Sequence, residues 1–179
     1  KAKNPINDAI HLCKKLIKPL DSGSKAFQPS NLEITSIDVG NKVTNLIPQR
    51  AFIRFNVRFN DNFTSKSLLK VIKERISESK VVCKLDYKVS GESFFNYSEK
   101  LTETLVNSIK TISRKKPELS TSGGTSDARF ISKMCPVIEF GMVGKTMHQV
   151  NENSQINDIK QLSKIYENFL ENIFKDKFF

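Results

Sequence analysis

The sequence predicts an α/β chain in two parts, the first of α+β character, on three observations. Up to residue 89 the hydrophobic patterns run in the order helix, strand, strand, helix, strand. Residues 51–59 alternate apolar and polar side chains with a period of two, the signature of a half-buried strand. After Ser90-Gly91, helices alternate with short apolar strands, the pattern of an α/β sheet. The two predicted parts are residues 1–91 and 92–179.

Each element has its own warrant. Asn4-Pro5 reads as a helix N-cap followed by proline at the first helical position. Ile6, Ala9, Ile10, Cys13, Leu16, Ile17 and Leu20 then keep one face apolar to about residue 18, with His11 among Asp8 and lysines off that face. Residues 21–30 have the composition of a loop. Leu32 to Val39 is the first predicted strand, and G-N-K-V-T-N at 40–45 is turn-rich. In the next strand Ala51, Ile53, Phe55, Val57 and Phe59 share one parity. Arg50, Arg54, Asn56, Arg58 and Asn60 hold the other, broken only by Phe52. Leu68, Leu69, Ile72 and Ile76 mark a helix from about Ser65 to Glu78, and Val81 to Val89 alternate as a further strand. One more strand in front would complete a βαββαβ, ferredoxin-like unit in which that first strand lies inside the sheet. The second part reads as a helix over about 98–113, a short strand near 118–121, a Gly123-Gly124 turn and a short helix from Ser126 to Ser132. A buried strand at 136–140, a loop over 141–153 and a long final helix complete it.

Composition excludes some functions. The formal charge of +10 comes from 29 Lys and Arg against 19 Asp and Glu, and the excess is lysine spread along helices. No stretch interleaves aromatics with arginine as a base-stacking platform would, so the pattern predicts a solvated lysine surface and no nucleic-acid partner. No apolar run is long enough for a membrane span. Cys13, Cys83 and Cys135 are far apart, odd in number and set among apolar residues. They are expected as buried free thiols, which suits a reducing, cytoplasmic setting. The chain opens on Lys1 and leads straight into a helix, as expected of a polypeptide that begins inside a longer one.

Few residues offer chemistry. His148 is the one histidine in a loop beside a predicted sheet, but a zinc site needs three or four ligands and none stands at ligand spacing around it. Gly123-Gly124-Thr125-Ser126-Asp127 presents backbone N–H groups at a helix start, suited to a carboxylate or phosphate, and equally to a hydroxyl-capped helix. Arg58 ends the clean strand on its polar parity, which also fits a solvated arginine, and Asn45 alone is a turn residue.

The combination says more. T-N-L-I-P at 44–48, F-N-V-R-F-N-D at 55–61, S-G at 90–91, G-G-T-S-D-A-R-F at 123–130, V-I-E-F-G at 137–141 and M-H-Q-V-N-E at 147–152 follow in order. Together they resemble the dinuclear-zinc amidohydrolase and peptidase family that includes acetylornithine deacetylase and carboxypeptidase G2. The resemblance covers essentially the whole chain. It implies a ferredoxin-like lid that dimerises, followed by the C-terminal part of an α/β catalytic domain. It also implies two divalent metal ions per complete subunit, zinc with cobalt as the alternative in the second position. By the same resemblance His148 is a metal ligand; Asn45, Arg58, Ser90 and Gly91 grip the small-molecule substrate; Gly124 and Thr125 meet its carboxylate. Asn45 is expected to reach into the partner's site of a homodimer. In this family a metal-bound water attacks the amide carbonyl and a glutamate takes its proton. That glutamate and the remaining metal ligands belong to the family's N-terminal half and have no counterpart here, so no catalytic residue is assigned and the chain alone is expected to be inactive. The implied reaction is hydrolysis of a linear amide, an N-acylated diamino acid on the route to lysine. Acetylornithine deacetylase, aminoacylase or dipeptidase activity remain alternatives, as does a non-catalytic dimerisation module.

Overall fold

The computed structural model describes residues 3–121 and 126–175. They divide into two compact units, Lys1–Phe95 and Asn96–Phe179. In the first unit, helix α1 runs over Pro5–Leu16. The Asn4 side chain accepts the Ile6 N–H at 3.0 Å, and Pro5 sits where a missing N–H costs nothing. The other end is held from outside. The Arg75 guanidinium donates to the carbonyls of Leu16 and Lys18 at 2.7 Å and of Pro19 at 2.8 Å, supplying donors to carbonyls the helix leaves unpaired.

Strands β1 (Asn31–Asp38) and β2 (Phe52–Arg58) form an antiparallel pair, the one ladder among the described residues. Leu32 faces Val57 and Ile34 faces Phe55, but the register then slips so that Ile37 faces Ile53 and Thr35 has no partner. This is a β-bulge, and the sequence accounts for it. Leu32, Ile34 and Ile37 are spaced by two and then three, so strict alternation would turn Ile37 away from the others; one extra residue returns it to apolar company.

Helix α2 (Ser65–Ser79) starts with a capping box. Thr64 Oγ1 accepts the Ser67 N–H at 3.2 Å while Ser67 Oγ accepts the Thr64 N–H at 2.9 Å. It stops at Lys80 in the left-handed conformation, φ 56°. Leu12 and Leu16 of α1, Leu32 of β1 and Ile72 of α2 form the buried core, with Ile34, Ile53, Phe55 and Val57 of the hairpin packed against it. Both helices therefore cover one face of the hairpin.

Val81 to Val89, expected as a strand, forms none. Val81 and Leu85 do pack against the core, but Val82, Tyr87 and Val89 are exposed and no ladder forms. The reason is topological. In a βαββαβ sheet the neighbour of the last strand is the strand that precedes α1. No described residue forms such a strand, so 81–89 finds no partner among the described residues.

The second unit packs α3 (Glu99–Ser113) against α5 (Ile156–Lys175), with the short α4 (Ala128–Ile131) between them in sequence. Leu105, Ile109 and Ile165 are its buried centre, joined by Ile112, Ile138, Phe140 and Phe169. The expected strands at 118–121 and 136–140 form no ladder among the described residues, although Ile138 and Phe140 turn inward as expected. Asn96 fixes the chain after α4, donating to the carbonyls of Ser132 and Cys135 and accepting the Val137 N–H at 3.3 Å. The thiols also depart from expectation. All three are free, but only Cys13 is half-buried, its pKa pushed up by that burial, while Cys83 and Cys135 are exposed. Cys83 lies on the unpaired segment, where no neighbouring strand covers it. No helix is long and apolar enough to cross a membrane among the described residues.

Candidate functional site

The hairpin positions Arg58. It is the last residue of β2 and pairs with Asn31 of β1. Three arginines share this parity, and the fold separates them. Arg50 lies over the Phe52 ring at 5.2 Å, and Arg54 is bound to Asp38 at 2.6 Å. The exposed Arg58 guanidinium has no hydrogen bond or ion pair among the described residues. Five N–H donors left free in a planar fork suit a carboxylate.

The backbone just beyond Arg58 is pinned by a network that sequence reasoning missed. Asn60, only 2% exposed, donates through Nδ2 to Asp21 Oδ1 at 2.7 Å and to the Gln28 carbonyl at 3.0 Å. Its N–H donates to Ser30 Oγ at 3.0 Å, and its Oδ1 accepts the Asn62 N–H at 3.0 Å. Burial works to raise the Asp21 pKa, but hydrogen bonds from Ser30, Asn60 and the Gly23 N–H outweigh it and hold the carboxyl below its ordinary value. A polar residue on the polar parity of a strand gives no hint that it is a buried hub, which is why the pattern left Asn60 unremarked.

Asn45 sits in a turn on the loop between β1 and β2, exposed and without side-chain partners among the described residues. Its neighbours Val43, Leu46 and Ile47 are also exposed. Asn45 and Arg58 belong to opposite ends of the hairpin, because Asn45 precedes β2 and Arg58 ends it. Seven strand residues span about 20 Å. One copy of this unit does not bring the two side chains to one small ligand.

Ser90 is exposed and Gly91 partly so, on the extended stretch after Leu85. The stretch is tied down next door, where Glu92 Oε2 accepts the Ser65 N–H at 2.8 Å, an acid at the positive end of α2. Gly124 and Thr125 lie outside the described residues.

His148 lies in the second unit, in a run of turns after Gly144. Its φ of 63° is left-handed, uncommon for a residue with a side chain, and Asn151 shares it. The loop closes on a reciprocal clasp. Thr146 Oγ1 donates to the Asn153 carbonyl and accepts the Asn153 N–H, both at 3.0 Å. The imidazole is exposed. Among the described residues no group of three or more His, Cys, Asp or Glu gathers to hold a metal ion. One imidazole is too few donors for a zinc site, so the residues described do not fit a metal by themselves.

Comparison with known proteins adds to this geometry. Residues 1–82 match the peptidase dimerisation domain family of the M20 peptidases. Over 97% of its length the chain is 46% identical to a succinyl-diaminopimelate desuccinylase of Pelagibacter ubique (strain HTCC1062), covering 47% of that protein. It is 45% identical to a protein of the same name from Rhodopseudomonas palustris (strain BisB5), over 98% of this chain and 46% of that one. The chain thus spans about half the length of the curated relatives it matches. An M20 family metallo-carboxypeptidase from Sulfolobus solfataricus has a similar structure, with a TM-score of 0.69 at 16% identity over 94% of this chain and 52% of that one, a likeness of fold.

Proposed function

Because residues 1–82 belong to the M20 peptidase dimerisation family, we propose that the chain is the C-terminal part of a dimeric, metal-dependent amide hydrolase with the activity of the succinyl-diaminopimelate desuccinylases. The complete enzyme would convert N-succinyl-L,L-2,6-diaminopimelate and water to succinate and L,L-2,6-diaminopimelate, a step of lysine biosynthesis in the cytoplasm. It would use two divalent ions per subunit, zinc with cobalt as the alternative in the second position. Residues 1–91 serve as the lid and 92–179 as the remainder of the catalytic domain. The general base lies outside this chain.

The observation that carries the reading is the separation of Asn45 from Arg58 along one hairpin. Both suit a carboxylate-bearing substrate, Arg58 as a two-pronged donor and Asn45 as an amide donor. They serve one ligand if Asn45 comes from the second subunit. The apolar side chains around Asn45 support this, since Val43, Leu46 and Ile47 gain from burial against another protein surface. Ser90 and Gly91 act as the hinge and add polar contacts, Gly124 and Thr125 supply backbone N–H groups to the substrate carboxylate, and His148 provides one imidazole donor to the metal site. A metal pair completed by ligands from outside this chain would supply Lewis-acid chemistry at the amide, with His148 as this chain's one donor to it.

Mixed dimers test the reading. Asn45→Ala and Arg58→Ala subunits of the complete enzyme are each expected to form impaired homodimers. Subunits mixed in equal amounts re-form one intact site in every heterodimer, and activity recovers to about a quarter of wild type for random pairing of a symmetric dimer. If the mixture is no more active than the two homodimers, the shared-site reading fails.

A further inference from the structure

The loop that presents Asn45 is long, exposed and almost without internal bonds. It runs from the end of β1 at Asp38 to the start of β2 at Phe52 with no regular structure between. Ordering such residues costs backbone entropy, so something has to hold the tip in one shape. Among the described residues, the hydrogen bonds that cross residues 41–46 all come from one side chain. Asn41 Nδ2 donates to the Leu46 carbonyl at 2.8 Å, and Asn41 Oδ1 accepts the Val43 N–H at 3.1 Å. These two anchor points bracket Asn45, one just after it and one two residues before. Gly40 makes the approach possible. Its φ of +61° turns the chain into the loop, in a region that strains a residue with a Cβ.

We propose that Asn41 is a positioning residue for the reaction: it shapes the 41–46 loop so that the Asn45 amide stands ready to meet substrate in the partner subunit. The inference rests on the reading of Asn45 as a substrate contact. Asn41 itself touches no substrate. Its amide closes a ring of backbone that Asn45 rides on, so its loss lets the contact drift, while the buried core of Leu12, Leu16, Leu32 and Ile72 includes no residue of this loop.

The test is a set of variants in the complete enzyme: Asn41→Ala, Asn41→Asp, Asn45→Ala and the Asn41→Ala/Asn45→Ala double variant. Asn41→Ala is expected to lower kcat/KM roughly tenfold, as misplacement of a binding group does, with melting temperature and dimer content unchanged. Asn41→Asp keeps the acceptor for the Val43 N–H and loses the donor to the Leu46 carbonyl, so its loss falls in between. Because Asn41 acts through Asn45, the double variant is expected to match Asn45→Ala within about twofold. Wild-type kcat/KM for Asn41→Ala beside an impaired Asn45→Ala would overturn the proposal, as would a double variant in which the two losses multiply. A neutral Asn45→Ala would overturn the substrate-contact reading itself, and the inference with it.

Discussion

Single residues decide what the hairpin presents. Arg50, Arg54 and Arg58 are equivalent in sequence, and only the folded chain shows Phe52 and Asp38 engaging the first two. In the complete enzyme, Arg58→Ala should lower kcat/KM roughly tenfold to a hundredfold, the worth of hydrogen bonds to a charged group. Metal content should stay equal to that of the parent enzyme, and elemental analysis showing lost metal would contradict the assigned role. Asp21 offers a second prediction. Its folded pKa lies below the ordinary aspartate value of 3.8, so the stability it adds is complete above that value and fades as pH falls through the lower, folded pKa. Asp21→Asn should therefore melt at lower temperature than the parent at neutral pH, with the gap narrowing in melts recorded below about pH 4. A constant gap would show that the carboxylate's charge is not what the Asn60 network uses.

At the scale of elements, much was legible. The Asn4-Pro5 start, the amphipathic stripes of α1, α2, α3 and α5 and the alternation of β2 are local signals, and local geometry followed them. The bulge at Thr35 was not legible, because the spacing of Leu32, Ile34 and Ile37 matters only once β2 supplies the opposite register. The 81–89 segment shows the same limit more sharply. Its pattern is that of a strand, but a strand is a pairing between two segments, and 81–89 finds no second segment among the described residues. Helix packing is the firmer ground. Leu16 is 1% exposed at the junction of α1 with the hairpin and α2. Leu16→Ala should cost about 2–5 kcal/mol of unfolding free energy, measurable by denaturant titration with an unchanged slope. A loss below about 1 kcal/mol would mean that the core closes over the gap.

For the whole molecule, the motifs pointed to a function that no single motif supports. Asn45, Arg58 and His148 each read as ordinary surface residues in isolation, and their order along the chain carried the resemblance. What stayed hidden were the side chains that hold them. Asn60 behind Arg58, Asn41 under Asn45 and the Thr146–Asn153 clasp around His148 all act through backbone groups, and such contacts leave no periodicity to read. If the general base and the other metal ligands come from outside this chain, as proposed, the chain alone is expected to show no hydrolysis of N-succinyl-L,L-2,6-diaminopimelate even with added zinc. Turnover clearly above buffer background in a succinate-release assay would refute that expectation.

The second edge of β2 has a colloidal consequence. On that edge alternate residues of β2 turn their N–H and C=O groups away from β1, with no strand beside them among the described residues, a template on which another extended chain can nucleate. The arginines stand guard over that step. If two copies join antiparallel through this edge about Arg54, Arg58 faces Arg50 at both ends of the seam, so like charges meet there, while each Arg54 keeps its Asp38 partner. Dissolved salt weakens that repulsion, because the screening length falls to about 3 Å in molar salt. Precipitation of this chain is therefore expected to be faster in molar salt than in dilute buffer, as turbidity followed at the two ionic strengths would show.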